Sequence, residues 1–285
     1  EESGVYLRCY MNDTSSWLPP EDVNRATRLF EKALEAAETQ KYRRRVRRAK
    51  MVIDNVWLNR YQGLRIAARE SGDYAGPEDP AELAREFIRL AREHDARYWN
   101  EGGRFKGYER RLRQKFIRSE APPPERARGL DQRDWVDFQD AFMSLAGRGR
   151  LASIVDDEPA SDGSAARMPA THHEWAVQCH PGGDLSYGNP WRVFVAVRCE
   201  SKSDGVSGEV MRMGVYDGGA GESLSYRRLS ADEVVGDDYV VIDLGAHEFD
   251  GRTYIWVAPQ ERPDKVEAVF VDRVFLVRAS ASSGE

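Results

Sequence analysis

The chain has 285 residues, of which 32% are charged and 41% apolar, with a formal net charge of −6. That length leaves room for two ordinary domains, each with its own core. The mean hydropathy of −0.66 argues for a soluble protein, no run approaches the roughly 20 apolar residues of a bilayer span, and no basic segment followed by an apolar run marks a leader.

The opening "EESGVYLRCYMND" lacks an initiator Met and a recognisable first element, and reads as the start of a mature, processed or cut chain. The charge divides unevenly. Residues 1–130 carry 27 Lys and Arg against 21 Asp and Glu, net +6, whereas residues 131–285 carry 15 against 27, net −12. The asymmetry predicts two domains of different construction: a helical bundle over 1–119, a polar, Pro-rich linker "EAPPPERARG" within 120–130, and a β-sandwich over 131–280.

The first half has helical periodicity. After "SSWLPP", where Ser15 or Ser16 is expected to cap and Pro20 to sit in the first turn, apolar residues recur at Val23, Ala26, Phe30, Ala33 and Ala37. A longer helix is predicted from Gln40 to Glu70, with Tyr42, Val46, Ala49, Ile53, Val56, Leu64 and Ala67 on its core stripe. The breaker "SGDYAGPEDP" ends it, and a third helix is predicted from Pro80 to Tyr98. These are expected to pack as antiparallel bundle helices. The run "KYRRRVRRAK", residues 41–50, holds seven basic residues in ten. Because apolar spacing persists through it, it reads as the solvated side of a packed helix rather than as a nucleic-acid arm.

From Trp135 onward the period changes to short runs rich in Val, Phe, Tyr and Trp, separated by Gly, Asp, Asn and Pro: "WVDFQDAF", "LASIVDD", "EWAVQC", "WRVFVAVRC", "MRMGVYD", "YVVIDLG", "TYIWVAP" and "AVFVDRVFLV". Eight such runs predict an all-β sandwich of jelly-roll type, and hence an α+β chain of two domains.

Chemistry-bearing motifs are sparse. Cys9, Cys179 and Cys199 have no zinc-like spacing, and a Cys179–Cys199 bridge stays open. His172 and His173 are adjacent without a metal-binding pattern and read as loop residues. "GGAG" at 218–221 reads as a turn, and no GxSxG elbow occurs. Trp191, Phe194, Trp256 and Phe275 fall within strands and read as core, whereas Trp175, Tyr187, Tyr216 and Tyr226 lie nearer loops. Sugars present C–H faces that stack on exposed rings, so these aromatics beside polar residues nominate Tyr187, Asn189, Tyr216, Asp217 and Tyr226 as a glycan platform.

In order along the chain, "VDFQDAF", "IVDDEPASDGSAARM", "EWAVQ", "WRVFVAVR" and "VDRVFLV" resemble the jelly-roll carbohydrate-binding modules of bacterial polysaccharide-degrading enzymes. The stretches "RCYMNDTSSWLPPEDVNRATRLFEKALEAAE" and "YRRRVRRAKMVIDNVWL" resemble the helical region of uncharacterised glycoside-hydrolase-like bacterial proteins, in which a TIM-type barrel precedes helices and a sandwich. The barrel and its carboxylates are absent here. The resemblance implies a polysaccharide or oligosaccharide ligand, a catalytic barrel as partner, secretion or a periplasmic location, and neither nucleic acid nor a membrane span. It leaves catalysis open: the chain reads as a non-catalytic accessory region, with a scaffold for a barrel as alternative and, third, a hydrolase using Asp217, Asp243 or Glu248.

It also implies a structural calcium ion between the first and last strands. Asp137 and Gln139 share a strand face, and Asp272 is a carboxylate that the last strand needs to neutralise, so Asp137, Gln139 and Asp272 make a chemically sensible Ca²⁺ set. The alternative is an ion-pair or turn-capping role, with Asp272 bonding backbone amides of a neighbouring strand while Arg273, on the opposite face, reaches solvent. Asp156, Asp157 and Asp162 form either a second cation site or a turn closed by its own side chains.

Overall fold

The computed structural model describes residues 14–99, 103–118, 121–131 and 133–280. Cys9 lies outside them. The chain divides into two compact units, one of residues 1–119 with 182–187, the other of residues 120–181 with 188–285.

The first unit is helical: α1 (Pro20–Glu35), α2 (Gln40–Glu70), α3 (Pro80–Glu93) and α4 (Phe105–Leu112), the last running into a π-helical turn at Arg113–Arg118. Pro20 does occupy the first turn of α1, but the cap residue is Pro19 and no side chain caps it, so Ser15 and Ser16 are not caps. Asp79 caps α3 by accepting from the Ala81 amide. That helix stops at Glu93 rather than Tyr98, because Asp95 takes a positive φ of 51°, a backbone state that helices do not continue through.

Val23, Ile53, Trp57 and Leu64 form one core cluster of this unit, with Leu18, Ala26, Phe30, Val56, Tyr74 and Leu83 packed around them. The Trp57 Nε1–H donates to Thr27 Oγ1 at 3.0 Å, which satisfies the one polar atom that burying an indole brings inside. The apolar stripe of α2 is buried only from Ile53 on. Tyr42 is 53% exposed and Ala49 is exposed: seven cations in ten residues carry a desolvation cost that keeps the first turns of α2 in water.

The segment Gly182–Tyr187 belongs to the helical unit and is tied to it by a buried ion pair. Arg60 Nε donates to Asp184 Oδ2 at 2.8 Å and Nη2 donates to Oδ1, while Nη1 donates to Thr14 Oγ1 and the Leu18 carbonyl. Gly63 makes room, since a Cβ there would lie 2.4 Å from Asp184 Cβ.

The second unit is a sandwich of two antiparallel sheets. One contains β1 (Trp135–Gln139), β3 (Ser153–Asp156), β4 (Ser164–Pro169), β6 (Trp191–Ser201), β9 (Val240–His247) and β11 (Val266–Arg278), in the order β3-β4-β11-β6-β9, with β1 also paired to β11. The other contains β2 (Ser144–Leu145), β5 (Val177–Cys179), β7 (Glu209–Asp217), β8 (Glu222–Ser230) and β10 (Thr253–Pro259), in the order β2-β5-β10-β7-β8. A one-turn helix, α5 (Ala231–Val234), follows β8 and carries a capping box between Ser230 and Glu233.

All eight predicted runs contain a strand. The structure adds β2, β4 and β8, whose sequences "SL", "SAARMP" and "ESLSYRRLS" lack the dense apolar alternation of a half-buried strand. Val193, Val195 and Val197 on β6, Met211, Met213 and Val215 on β7, and Ile255 and Val257 on β10 are almost wholly buried, the period-2 signature of an inter-sheet core. On the other side of the first sheet, Phe194 stacks on Phe275 at 4.9 Å, and Leu130 and Trp135 pack against the pair. The segment expected to be a linker therefore reaches this sheet, with Ala127 buried in a short 3₁₀ turn.

Candidate functional site

The outward side of the second sheet is built by strand alternation. Register places Gln178, Trp256, Gly214 and Tyr226 in one row across β5, β10, β7 and β8, and Tyr254 beside Tyr216 in the next. Their in-between neighbours Ile255, Val257, Met213 and Val215 point inward and are buried, so this row faces the other way. Trp175, just before β5, lies flat on Trp256, ring centroids 4.1 Å apart and planes within 9°.

The aromatic contacts are continuous. Tyr216 meets Trp175 edge-on at 5.4 Å and Tyr254 at 5.4 Å, His180 lies over Tyr254 at 4.9 Å, and Tyr226 is 5.8 Å from Trp256. Trp256 is 1% exposed because Trp175 covers it, whereas Trp175, Tyr216 and Tyr254 are half-buried and Tyr226 is 43% exposed. Gly214 permits this packing, since a Cβ there would lie 3.2 Å from the Trp256 ring and 2.3 Å from the Ser225 carbonyl. Burial pushes the His180 pKa down and the Tyr254 pKa up, so both rings favour their neutral forms. Arg212 and Arg228 oppose one another on β7 and β8 and border the rings with cationic donors.

Of the five residues nominated from sequence, the structure brings Tyr216 and Tyr226 into this aromatic face. Asp217 closes the β7–β8 hairpin, its Oδ1 accepting from the Gly219 and Ala220 amides at 2.7 and 3.0 Å, so "GGAG" is a turn. Asn189 is engaged by the backbone of Phe249, donating to its carbonyl and accepting from its amide. Tyr187 belongs to the helical unit. Trp256 is buried as its strand position implied, yet it also underlies Trp175. Tyr254, His180 and Arg212 were not singled out, although the alternation "TYIWVAP" held the signal for Tyr254.

The expected metal residues do come together, around a guanidinium. Between Val271 and Val274 the register of β11 against β6 shifts by one residue, so Asp272 and Arg273 together oppose Ala196. This bulge frees both side chains from strict alternation, and each is only 4% exposed. The expectation that Arg273 reaches solvent is therefore corrected.

Arg273 Nε lies 3.7 Å from both Asp137 Oδ1 and Asp272 Oδ2 and donates to Ser161 Oγ at 2.9 Å; Nη1 donates to the Pro122 carbonyl at 2.9 Å. Asp272 Oδ1 accepts from the Ser161 amide and hydroxyl at 3.0 and 2.8 Å. Gln139 Nε2 donates to Asp137 Oδ2 at 2.6 Å. Burial, opposed by Arg273, pushes the Asp137 carboxyl up to about 6 and raises Asp272; burial together with Asp162 pushes Asp140 up to about 6.

"DDEPASDG" is a turn. Ala160 donates to the Asp157 carbonyl, Asp162 accepts from Ser164, and Asp157 forms a buried pair with Arg198. His172 is likewise structural, held by the Leu151 carbonyl and the Glu174 amide. Cys179 and Cys199 are both buried, and no bridge joins one to the other.

These features define a two-sheet antiparallel β-sandwich with one open aromatic face. No protein-family model and no curated protein matches the sequence. Among solved structures, the chain is similar to the CBM22-1–GH10 modules of the N-terminal endo-1,4-β-D-xylanase 10B of Clostridium thermocellum complexed with xylohexaose, at 14% identity and TM-score 0.35 over 50% of this chain. It spans 27% of the length of that protein. It is also similar to the CBM22-1 xylan-binding domain of Paenibacillus barcinonensis Xyn10C (12% identity, TM-score 0.34, 50% of this chain and 94% of that one) and to TmCBM61 in complex with β-1,4-galactotriose (14%, 0.31, 50% and 88%). Likeness at this level leaves the ligand of this chain to be read from its own side chains.

Proposed function

We propose that the outward face of the second sheet binds a glycan and that the chain is a non-catalytic, carbohydrate-associated protein. The observation that carries this reading is the half-buried Trp175 lying flat on Trp256, continuous with Tyr216, Tyr254, His180 and Tyr226 on a sheet face open to water. Two stacked indoles fix a planar apolar surface at low entropic cost, and the C–H side of a pyranose ring matches such a surface. Gln178, Arg212 and Arg228 stand at the edges, where sugar hydroxyls need donors and acceptors.

The same rows carry no carboxylate, whereas hydrolysis needs two of them roughly 5 to 9 Å apart. Of the three acids weighed for catalysis, Asp217 closes a hairpin, and Glu248 is exposed on a loop. Asp243 is raised by burial but brought below the usual carboxylate range by Arg192 and the Gly245 amide, which suits an ion pair better than a general acid. An accessory place beside a polysaccharide-degrading barrel, and export with it, rest on the sequence resemblance and belong to this proposal.

The test is affinity electrophoresis through gels containing xylan, galactan or mannan, followed by titration with xylohexaose and β-1,4-galactotriose. Retardation by at least one polysaccharide is expected, with affinity falling about ten-fold or more in Trp175→Ala and in Tyr226→Ala. Tyr226 is exposed, so its variant keeps the fold. Migration unchanged by every polysaccharide would sink the glycan reading.

A further inference from the structure

The resemblance to carbohydrate-binding jelly rolls implies Ca²⁺ between the first and last strands, and the residues there do not fit it. Calcium gathers roughly six to eight oxygens at about 2.3 to 2.6 Å. Here Asp137 Oδ2 accepts from Gln139 Nε2, Asp272 Oδ1 accepts twice from Ser161, and the Ser161 hydroxyl also lies 3.3 Å from Gln139 Oε1, while Asp137 Oδ1 and Asp272 Oδ2 face Arg273 Nε. Among the described residues no group of three or more His, Cys, Asp or Glu side chains is arranged to hold a metal ion. Between the two carboxylates stands the Arg273 guanidinium, 3.7 Å from each.

We infer that Arg273 takes the place of the structural cation, so that this sandwich carries its inter-strand positive charge covalently and needs no metal ion there. A guanidinium is suited to the task. It stays protonated at all physiological pH values, and its planar donors reach several acceptors at once. Arg273 serves the Ser161 hydroxyl and the Pro122 carbonyl besides the two carboxylates, and so joins β11 to β1, to the β3–β4 loop and to the segment before β1. A dication placed among the same oxygens would stand within a few ångströms of a fixed positive charge, where Coulomb repulsion is costly in a site this dry.

The β11 bulge is what makes the substitution feasible in a strand. With regular alternation Asp272 and Arg273 would project from opposite faces. The extra residue lets the chain place a carboxylate and its own counter-charge on one side of the sheet.

The experiment uses the full chain, treated with EDTA and desalted, with CaCl2 as the probe. Thermal unfolding is expected to coincide within about 1 °C in EDTA and in excess CaCl2, because an ion that does not bind the native state cannot stabilise it. Arg273→Met, which removes the charge but keeps most of the stem, is expected to lower the midpoint by about 10 °C or more. Adding Asp272→Asn to it is expected to recover part of that loss, since fewer buried charges are then left uncompensated. If Arg273→Met fails to fold, the wild-type comparison still decides. Calcium binding near one equivalent that raises the wild-type midpoint and is abolished by Asp272→Asn would overturn the inference. Calcium binding that survives Asp272→Asn lies elsewhere and leaves it standing.

Discussion

Asp140 offers a stabilising substitution whose size depends on pH in a way that follows from its surroundings. The residue is 2% exposed, its Oδ2 has no hydrogen-bond partner among the described residues, and burial and the nearby Asp162, opposed by Ser164 and the Ala141 amide, push its carboxyl up to about 6. A carboxyl whose folded pKa lies above its unfolded value of 3.8 binds its proton more tightly when folded. Its ionisation therefore costs stability, and the cost grows as pH rises from the unfolded value through the folded one.

With pKa values of 3.8 and about 6, linkage sets that cost near 3 kcal/mol at pH 7.5, about half as much at pH 5, and close to zero at pH 3.5. Asp140→Asn keeps the shape and one acceptor and removes the charge. The variant should unfold at higher urea concentration than the parent at pH 7.5, by an amount corresponding to about 1–3 kcal/mol once the new amide's own desolvation is allowed for. The two should converge as pH falls below 5. Urea titrations at pH 7.5, 6, 5 and 4 read this directly. A variant that is destabilised equally at all four pH values would refute the reasoning, because the carboxylate would then be an acceptor that the fold requires.

Two further outcomes follow from the buried polar groups. Arg60→Met leaves the Asp184 carboxylate buried without its bidentate partner and should cost the helical unit about 3–5 kcal/mol; hydrogen exchange of the Gly182–Tyr187 amides should accelerate in step, and unchanged exchange would show that the pair does not hold the segment. Burial pushes the Cys199 thiol up to about 11, so iodoacetamide at pH 8 should leave Cys199 unmodified in the native chain and alkylate it after unfolding, as read by peptide mass spectrometry.

Much of the fold is local and therefore visible in one dimension. The bounds of α2, the breaker before α3 and the eight apolar runs of the sandwich follow from side-chain period, Pro and Gly, which act within a few residues. Strand β8 escaped because it is an edge strand exposed on both faces along most of its length, so it carries no apolar alternation to announce itself. The exposed first turns of α2 escaped for a related reason. Apolar spacing shows which residues share a face but not whether anything covers that face.

The sites illustrate the same division. Aromatic content near loops pointed to Tyr216 and Tyr226, but the platform depends on register: only the pairing of β5, β10, β7 and β8 sets Gln178, Trp256, Gly214 and Tyr226 in one row and lays Trp175 over Trp256. Sequence determined that Asp272 needed a counter-charge, because a carboxylate inside an apolar strand is costly alone. Only the tertiary structure decided that Arg273, its own neighbour in the chain, stands beside it. A single extra residue in β11 breaks the period-2 rule there, and a bulge arises from how two strands pair, which no spacing within one of them records.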